Sequence, residues 1–222
     1  MKYSLVIYTI FTLILYSCSQ APKGDKAVIT EEKTTSALTG KIYSVDTASS
    51  SVRFTGHGVG KNHAGTFKFS EGTVAVQNNI ITGGKIIVEM NSMVLDQKGP
   101  KYEDKLRPHL MSTDFFDAAK FNKSSFEITA VKPFERNEND TSIIKGANYM
   151  ISGNLTIKDI TKNISFPAYV DIANNNLTAL GNFDIDRTMW KINYGNDKNL
   201  GDKFISEKVN IEMDIRTNKV IN

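Results

Sequence analysis

The chain has a single cysteine, Cys18, among its 222 residues. One cysteine cannot form a disulfide within the chain, so no disulfide framework supports the fold. The sequence also lacks the Gly-x-Ser-x-Gly elbow of α/β-hydrolases, and its only thiol lies close to the N-terminus, before the patterned part of the chain. With no evident pair of nucleophile and base, we expect that the protein is not an enzyme.

The net charge of the chain is small, because neither sign of charge dominates. The chain carries 27 Lys and Arg against 24 Asp and Glu, and no Lys/Arg block stands alone. A nucleic-acid-binding surface has a basic patch or stripe, which this sequence lacks, so no nucleic-acid partner is expected. The one long apolar run, 5–15, is shorter than the roughly 20 residues that span a bilayer.

The N-terminus follows the plan of a secretory signal peptide. Lys2 supplies the charge, 5–15 the apolar core and Ser17 the small residue. Because Cys18 comes directly after Ser17, the stretch resembles a bacterial lipobox. That resemblance implies removal of residues 1–17, a diacylglyceryl thioether on Cys18, and acylation of the new N-terminus. Several acyl chains on one residue would anchor the protein firmly to a membrane. The alternatives are an ordinary signal peptide with a chance cysteine, or an uncleaved anchor.

The resemblance to a lipobox implies a protein of the bacterial cell envelope, lipid-anchored, at the periplasmic face or outer membrane. Residues 18–39 are then the acylated N-terminus and a flexible tether, because the stretch after Cys18 is polar, rich in Lys, Thr and Ser, and lacks sustained periodicity. The alternative is a short helix or edge strand in this stretch. Residues 40–222 then form one β-rich domain.

Alternation with a period of two dominates the chain from Lys41 onward. Each such segment has one apolar face and one polar, solvent-exposed face, which is typical of antiparallel sheets. Eight or nine strands are indicated, consistent with a closed barrel or a sandwich. Pro167 predicts an edge or a bulge in its strand. The apolar positions lie in 52–54, 67–69, 74–76, 86–90, 126–130, 149–157, 164–172, 177–185 and 209–215.

One segment departs from this period. Residues 100–110 can form a short helix with Tyr102 and Leu106 on one face, and Pro108 is expected to end or kink it. Phe115 and Phe116 are adjacent, so they cannot share a strand face. At least one of them is predicted to pack under the helix.

Several blocks in a fixed order carry a resemblance to a known family over about residues 41–216. The most specific is GNLTIKDITKNISFPA, 153–168; the others are 43–46, 51–54, 63–67, 105–110, 112–117, 183–190 and 200–215. In this order they resemble the YceI-like family of polyisoprenoid-binding, lipocalin-like periplasmic proteins. Asp159 departs from the pattern, because the family often has Gly there.

The resemblance implies an all-β fold: an eight-stranded antiparallel lipocalin-like barrel with one short helical segment. It also implies an elongated apolar interior that takes a long isoprenoid chain, so the expected partner is a polyisoprenoid or quinone-like lipid, with no other cofactor. The alternative is that the same side chains only fill a core. The candidates for the barrel interior or mouth are Phe54, Phe67, Ile86, Val88, Leu106, Leu110, Phe115, Phe116, Phe126, Ile151, Leu155, Ile157, Phe166, Phe183, Arg187 and Trp190.

The polar candidates have competing interpretations. His57, His63 and His109 match no standard metal-ligand spacing, so we interpret them as surface or loop-packing residues and expect no metal. Arg187, beside Asp184 and Asp186, is expected to bridge carboxylates or cap carbonyls at the barrel end. The alternatives are an acid–base pair of the two carboxylates, or a contact between Arg187 and a lipid head group.

Two functions remain open on the sequence alone. The first is a membrane-tethered barrel that sequesters or transports a long apolar lipid. The second is a structural or stress-response envelope protein whose barrel is filled with side chains and whose partner is a protein. The sequence gives no indication of the oligomeric state.

Overall fold

A computed structural model describes residues 23–35, 37–136 and 142–221. The predicted signal peptide and Cys18 lie outside these residues. Strands account for most of the described chain. They are β1 (Asp25–Lys26), β2 (Val28–Glu31), β3 (Lys41–Val45), β4 (Ser51–Gly58), β5 (Lys61–Gln77), β6 (Ile80–Leu95), β7 (Lys123–Pro133), β8 (Tyr149–Ile157), β9 (Ile160–Ala173), β10 (Asn176–Asp186) and β11 (Ile205–Ile221).

The strands from β3 onward close into an eight-stranded antiparallel barrel, as the sequence predicts. Strands β3 and β4 serve as one interrupted strand, since both pair with β5 on one side and β11 on the other. From β5 to β11 each strand pairs with the next along the chain. All the predicted alternating stretches fall within these strands, so one face of each stretch points into the barrel.

Two-residue turns join three of the hairpins. In each turn both residues have positive φ: 53° and 60° at Asn78 and Asn79, and 52° and 57° at Lys158 and Asp159. The pair 174–175 repeats this geometry. Such turns match the right-handed twist of the strands and favour Gly, Asn and Asp. Asp159 therefore keeps the turn although it stands where Gly was expected.

The helical segment lies between β6 and β7. A π-helical turn, Lys101–Leu106, runs directly into an α-helix, α1 (Arg107–Met111). The helical segment does not end at Pro108 but continues to Met111. The change from π-helical to α-helical winding falls between Leu106 and Arg107, directly before the proline. Short 3₁₀ helices, Arg187–Trp190 and Lys198–Lys203, lie between β10 and β11. Within the described ranges, no helix has the length and apolar character to cross a bilayer.

The segment expected to be a flexible tether is in part a strand of the barrel wall. β9 and β10 pair with each other only as far as Ala168 and Gly181. Pro167, which has no N–H to donate, lies between the β10-paired and the β2-paired parts of β9. The strand as a whole is neither an edge strand nor bulged at this position, so that prediction was wrong. Beyond Pro167, β1 pairs with β10 in parallel, and β2 pairs with β9 antiparallel. We call residues 24–33 the N-terminal arm.

Specific contacts hold this arm in place. Ala27 is buried in the core, and its N–H donates to the carbonyl of Asp184 at 3.2 Å. The N–H of Gly24 donates to Asp184 Oδ1 at 3.0 Å, and Asn154 exchanges two hydrogen bonds with the backbone of Lys33, at 3.0 and 2.6 Å. Val28-Ile29-Thr30-Glu31 does not alternate apolar and polar residues, so the period-two pattern gave no signal of this strand.

We predict that removal of the arm destabilises the barrel. A chain that begins at Thr34 loses several backbone hydrogen bonds, each worth about 1 kcal/mol, and should unfold with a free energy lower by at least about 2 kcal/mol. Chemical denaturation measures this loss. As a control, Glu31→Gln breaks only an exposed ion pair with Lys162 and should cost less than about 1 kcal/mol. Equal stability of the truncated and full chains would contradict a structural role of the arm.

Candidate functional site

The barrel interior is filled in its base and hollow towards its mouth. Tightly packed apolar side chains, among them Tyr43, Leu177 and Ile215, close the end that carries the β5–β6 and β9–β10 turns. Towards the other end lies a cavity of about 470 Å³. This volume is within the range of small-molecule sites, and the lining is predominantly apolar, as in such sites.

Three phenyl rings lie together in the deep part of the cavity lining. Phe166 and Phe183 stack with ring centroids 3.9 Å apart and an angle of 18° between the rings, and Phe126 follows at 5.9 Å from Phe166. Gly153 faces the ring of Phe126 so closely that a side chain there would clash with it. The small residue in β8 thus makes room for the ring.

All but one of the predicted interior and mouth residues line this cavity. The exception is Ile151, which is 3% exposed and packs in the core without reaching the cavity surface. Its position on the inward face is as expected, but the filled part of the barrel surrounds it. The residues that do line the cavity are Phe54, Phe67, Ile86, Val88, Leu106, Leu110, Phe115, Phe116, Phe126, Leu155, Ile157, Phe166, Phe183, Arg187 and Trp190.

The sequence analysis missed other members of the lining. Most belong to the same inward faces, so period-two alternation was the signal that could have found them: Val52, Phe69, Met90, Ile164, Ile185, Val209, Ile211 and Met213. The loop residues Ile192, Tyr194 and Phe204, and Ile205 at the start of β11, carried no such signal, because the connection between β10 and β11 has no period.

The helical segment and the residues after it cover part of the mouth. Leu110 and Phe115 are each 8% exposed and belong to one apolar cluster with Phe54 and Phe67 of the barrel wall. Phe116 meets Phe67 edge to face, with ring centroids 5.5 Å apart. The prediction that at least one of the adjacent phenylalanines packs under the helix is confirmed.

Arg187 holds the connection between β10 and β11 across the mouth. Its side chain is buried, and its guanidinium donates to the carbonyls of Ser206 at 2.9 Å, Tyr194 at 2.9 Å, Ile205 at 3.0 Å, and also Ile192. Burial lowers the pKa of Arg187, against the opposing effect of nearby carboxylates, yet an arginine remains protonated. The structure thus shows the carbonyl-capping role among those considered.

The two aspartates beside Arg187 have structural partners. Asp184 is buried under the N-terminal arm and accepts a hydrogen bond from Asn210 Nδ2 at 2.9 Å, besides the one from Gly24. Asp186 caps the following 3₁₀ helix by accepting from the N–H of Thr188 at 2.9 Å. Neither carboxylate lines the cavity, so the geometry gives no support to an acid–base pair acting there.

All three histidines line the cavity mouth, which the sequence analysis did not predict. His57 hydrogen-bonds Asn62, and His109 Nε2 lies 2.9 Å from an oxygen of Asp114. The Nδ1 atom of His63 is buried and has no hydrogen-bond partner among the residues that the structure describes. Among the residues with described positions, no group of three or more His, Cys, Asp or Glu side chains is placed to hold a metal.

The environment of His63 favours a neutral imidazole. Burial lowers the pKa of His63, and the ammonium groups of Lys61 and Lys101 lower it further. Since the folded state then binds a proton less readily than the unfolded chain does, stability contributed by neutral His63 is present above the unfolded pKa of about 6.5 and is lost as the pH falls.

We predict that His63→Gln makes stability less sensitive to acid. Between about pH 8 and pH 5.5, the free energy of unfolding should fall more for the wild type than for the variant, because only the wild type has the half-buried imidazole whose pKa is lowered by folding. Urea denaturation at several pH values measures the difference. Parallel pH profiles for the two proteins would show that His63 does not titrate with folding.

Comparison with known proteins agrees with this geometry. The model of the YceI-like domain matches residues 43–217. The chain belongs to the YceI-like family. Protein YceI of Salmonella arizonae is 33% identical over 104 residues, which cover 47% of each chain. The match thus spans about half the length of the curated relatives.

Solved structures similar to this YceI-like chain share its fold. BcnA of Burkholderia cenocepacia aligns over 78% of this chain and 99% of its own, with a TM-score of 0.59 and 21% identity. A polyisoprenoid binding domain from Saccharophagus degradans, implicated in plant cell wall breakdown, aligns over 79% and 97%, with a TM-score of 0.55 and 12% identity. At these identities the likeness establishes the barrel architecture and leaves the ligand open.

Proposed function

We propose that this YceI-like protein binds a polyisoprenoid or a similar long apolar lipid, such as an isoprenoid quinone, and sequesters or transports it without catalysis. The observation that carries this proposal is the apolar cavity of about 470 Å³ between the phenyl rings and the barrel mouth. The solved domain from Saccharophagus degradans, described as polyisoprenoid binding, supports the same ligand class.

The physical basis of binding is burial of the chain. Each methylene group that leaves water for an apolar surrounding contributes roughly 0.8 kcal/mol. Rings such as Phe54, Phe67 and Phe166 offer broad apolar contact and require no particular group on the ligand. A long unfunctionalised chain therefore fits this lining better than a compact polar molecule does.

We predict that a side chain placed in the cavity blocks the lipid. Val88→Trp adds an indole to the cavity lining of β6, and it should weaken binding of a long-chain isoprenoid alcohol by about tenfold or more, equivalent to 1.4 kcal/mol. Val94 lies on the same strand and is 52% exposed, so Val94→Trp is the matched control and should bind like the wild type.

Fluorescence titration of the delipidated proteins measures the affinities, and thermal unfolding of both variants checks that each remains folded. If the delipidated wild type binds no isoprenoid alcohol or quinone at micromolar concentration, the carrier function is wrong. A structural envelope role with a protein partner would then take its place.

We further propose that the barrel is held at the periplasmic face of a bacterial membrane through lipidated Cys18. The motive is the signal-peptide plan of residues 1–18 in the sequence. Acyl chains at this site would keep the cavity close to a bilayer, where apolar lipids are available.

We predict that Cys18→Ser abolishes lipidation, since serine offers no thiol for the thioether. The variant should remain as an uncleaved precursor or move to the soluble fraction. Membrane fractionation and metabolic labelling with palmitate report the change in the source bacterium. Unchanged fractionation and labelling would exclude the lipid anchor.

A further inference from the structure

We propose that the barrel lies on its side against an anionic bilayer, which it meets where the N-terminal arm enters the wall between β9 and β10. This inference rests on the proposed lipid anchor at Cys18 and adds to it the surface that contacts the membrane. We call this surface the arm face. It is formed by Lys23, by Lys26 and Val28 of the arm, and by Ile143 and Lys145 of the connection between β7 and β8.

The first observation is the short length of chain between the anchor and the barrel wall. The N–H of Gly24 already bonds Asp184 Oδ1, so only residues 19–23 separate Cys18 from the barrel. Even fully extended, the chain from Cys18 to Gly24 covers about 20 Å. A tether that continued to residue 39, as expected from the sequence, could cover about 70 Å.

The reach of this short tether restricts the orientation of the barrel. A domain of about 180 residues has a diameter of roughly 40 Å. In the cyclic order of the strands, β5 and β6 lie across the barrel from the seam between β9 and β10. While the arm stays paired, this far wall cannot rest on the bilayer. A tether of 70 Å would have allowed every orientation.

Hydrogen bonds hold the connection between β7 and β8 on the start of the arm. The carboxylate of Asp25 accepts from the hydroxyl of Ser142 at 2.5 Å and from the N–H of Ile143 at 3.0 Å. Ser142 is buried, whereas Ile143 is 52% exposed. The side chain of Ile143 therefore lies beside the point where the chain from Cys18 joins the wall.

Large apolar side chains are exposed on the arm face. Val28 is 61% exposed and points outward, because its neighbours Ala27 and Ile29 pack into the core. Single exposed apolar side chains are ordinary on a protein surface, so Val28 and Ile143 alone indicate nothing. Here they flank the place where the chain leads to membrane-inserted acyl chains. Apolar side chains among lysines are typical of surfaces that lie in the membrane interface.

The charge of the arm face is complementary to an anionic membrane. Lys23, Lys26 and Lys145 are exposed, and none of them forms an ion pair with a residue that the structure describes. The described part of the β7–β8 connection has one acidic and two basic residues. Anionic lipids attract lysines at the bilayer surface. Because a short tether keeps this face at high effective concentration near the bilayer, weak attraction is sufficient.

Thiol labels test the orientation, since the anchored protein has no other free thiol. In the mature lipoprotein the sulfur of Cys18 is a thioether, and Cys18 is the only natural cysteine. Ile143→Cys places a bimane label on the arm face. Val94→Cys places it on the far wall, where the natural side chain is equally exposed, at 52%. The lipoproteins are purified from the source bacterium and reconstituted into phosphatidylglycerol vesicles with brominated acyl chains, which quench bimane on contact.

We expect the label at position 143 to be quenched at least about threefold more strongly than the label at position 94, since interfacial surfaces sink several ångströms into the head-group region. Val59→Cys and Ile80→Cys report on the two ends of the barrel, where these side chains are 53% and 49% exposed. Both labels should be quenched less than the label at position 143. Thermal unfolding verifies that every labelled variant folds.

Two changes separate the tether from the surface. About twenty Gly and Ser residues inserted after Gln20 extend the reach beyond the barrel diameter, so the difference between positions 143 and 94 should fall by about half or more. Lys26→Gln combined with Lys145→Gln should also weaken quenching at position 143. Lys41→Gln combined with Lys68→Gln removes two exposed charges elsewhere on the barrel and is the matched control, which should leave quenching unchanged.

Equal quenching at all four positions of vesicle-bound protein, or strongest quenching at position 59, 80 or 94, would overturn the arm face and leave the lipid anchor intact. A difference that neither the insertion nor the loss of the two lysines reduces would also overturn it. If the protein does not float with the vesicles in a density gradient, the lipid anchor itself is wrong, and the arm face with it.

Discussion

Closure of the barrel wall is the constraint on which the rest of the structure depends. A strand with an unpaired edge exposes a row of N–H and C=O groups that must find partners. β9 and β10 separate beyond Ala168 and Gly181, beside the cavity, and β1 and β2 fill the gap. The same insertion covers Asp184 and satisfies Asn154. The arm is therefore a structural part of the barrel wall.

Alternation of inward- and outward-facing residues forms both halves of the barrel interior, but the types of the inward-facing residues differ between the halves. In the base, β-branched and aromatic side chains from opposing strands pack against one another and fill the interior. Towards the mouth the wall includes Gly56 and Gly58, and much of the volume between the rings remains cavity. The loops over the mouth keep their positions because Arg187 ties their carbonyls to one buried guanidinium.

The sequence predicted the barrel and most of its lining because both depend on alternation, which is a local property. Whether inward residues such as Ile151 and Leu155 meet one another or border a cavity depends on how strands oppose each other, which alternation does not encode. The N-terminal arm was missed since its partners, such as Ser165 for Val28, lie far along the chain. The histidines at the mouth were not predicted to line it, although His63 and His109 lie in the family blocks 63–67 and 105–110, because their spacing matches no metal-ligand pattern and they were interpreted as surface or loop-packing residues.

The contrast between the halves bears on function. Apolar atoms that border a cavity lose the dispersion contacts that a packed core supplies, so an interior without a ligand gains stability when larger side chains fill it. The base of this barrel shows that the chain packs its interior densely where nothing else is required. Retention of about 470 Å³ beside Phe54 and Phe166 is therefore a feature that stability alone does not explain. A ligand that buries its own apolar surface there would restore the missing contacts, which favours the carrier over the filled structural barrel.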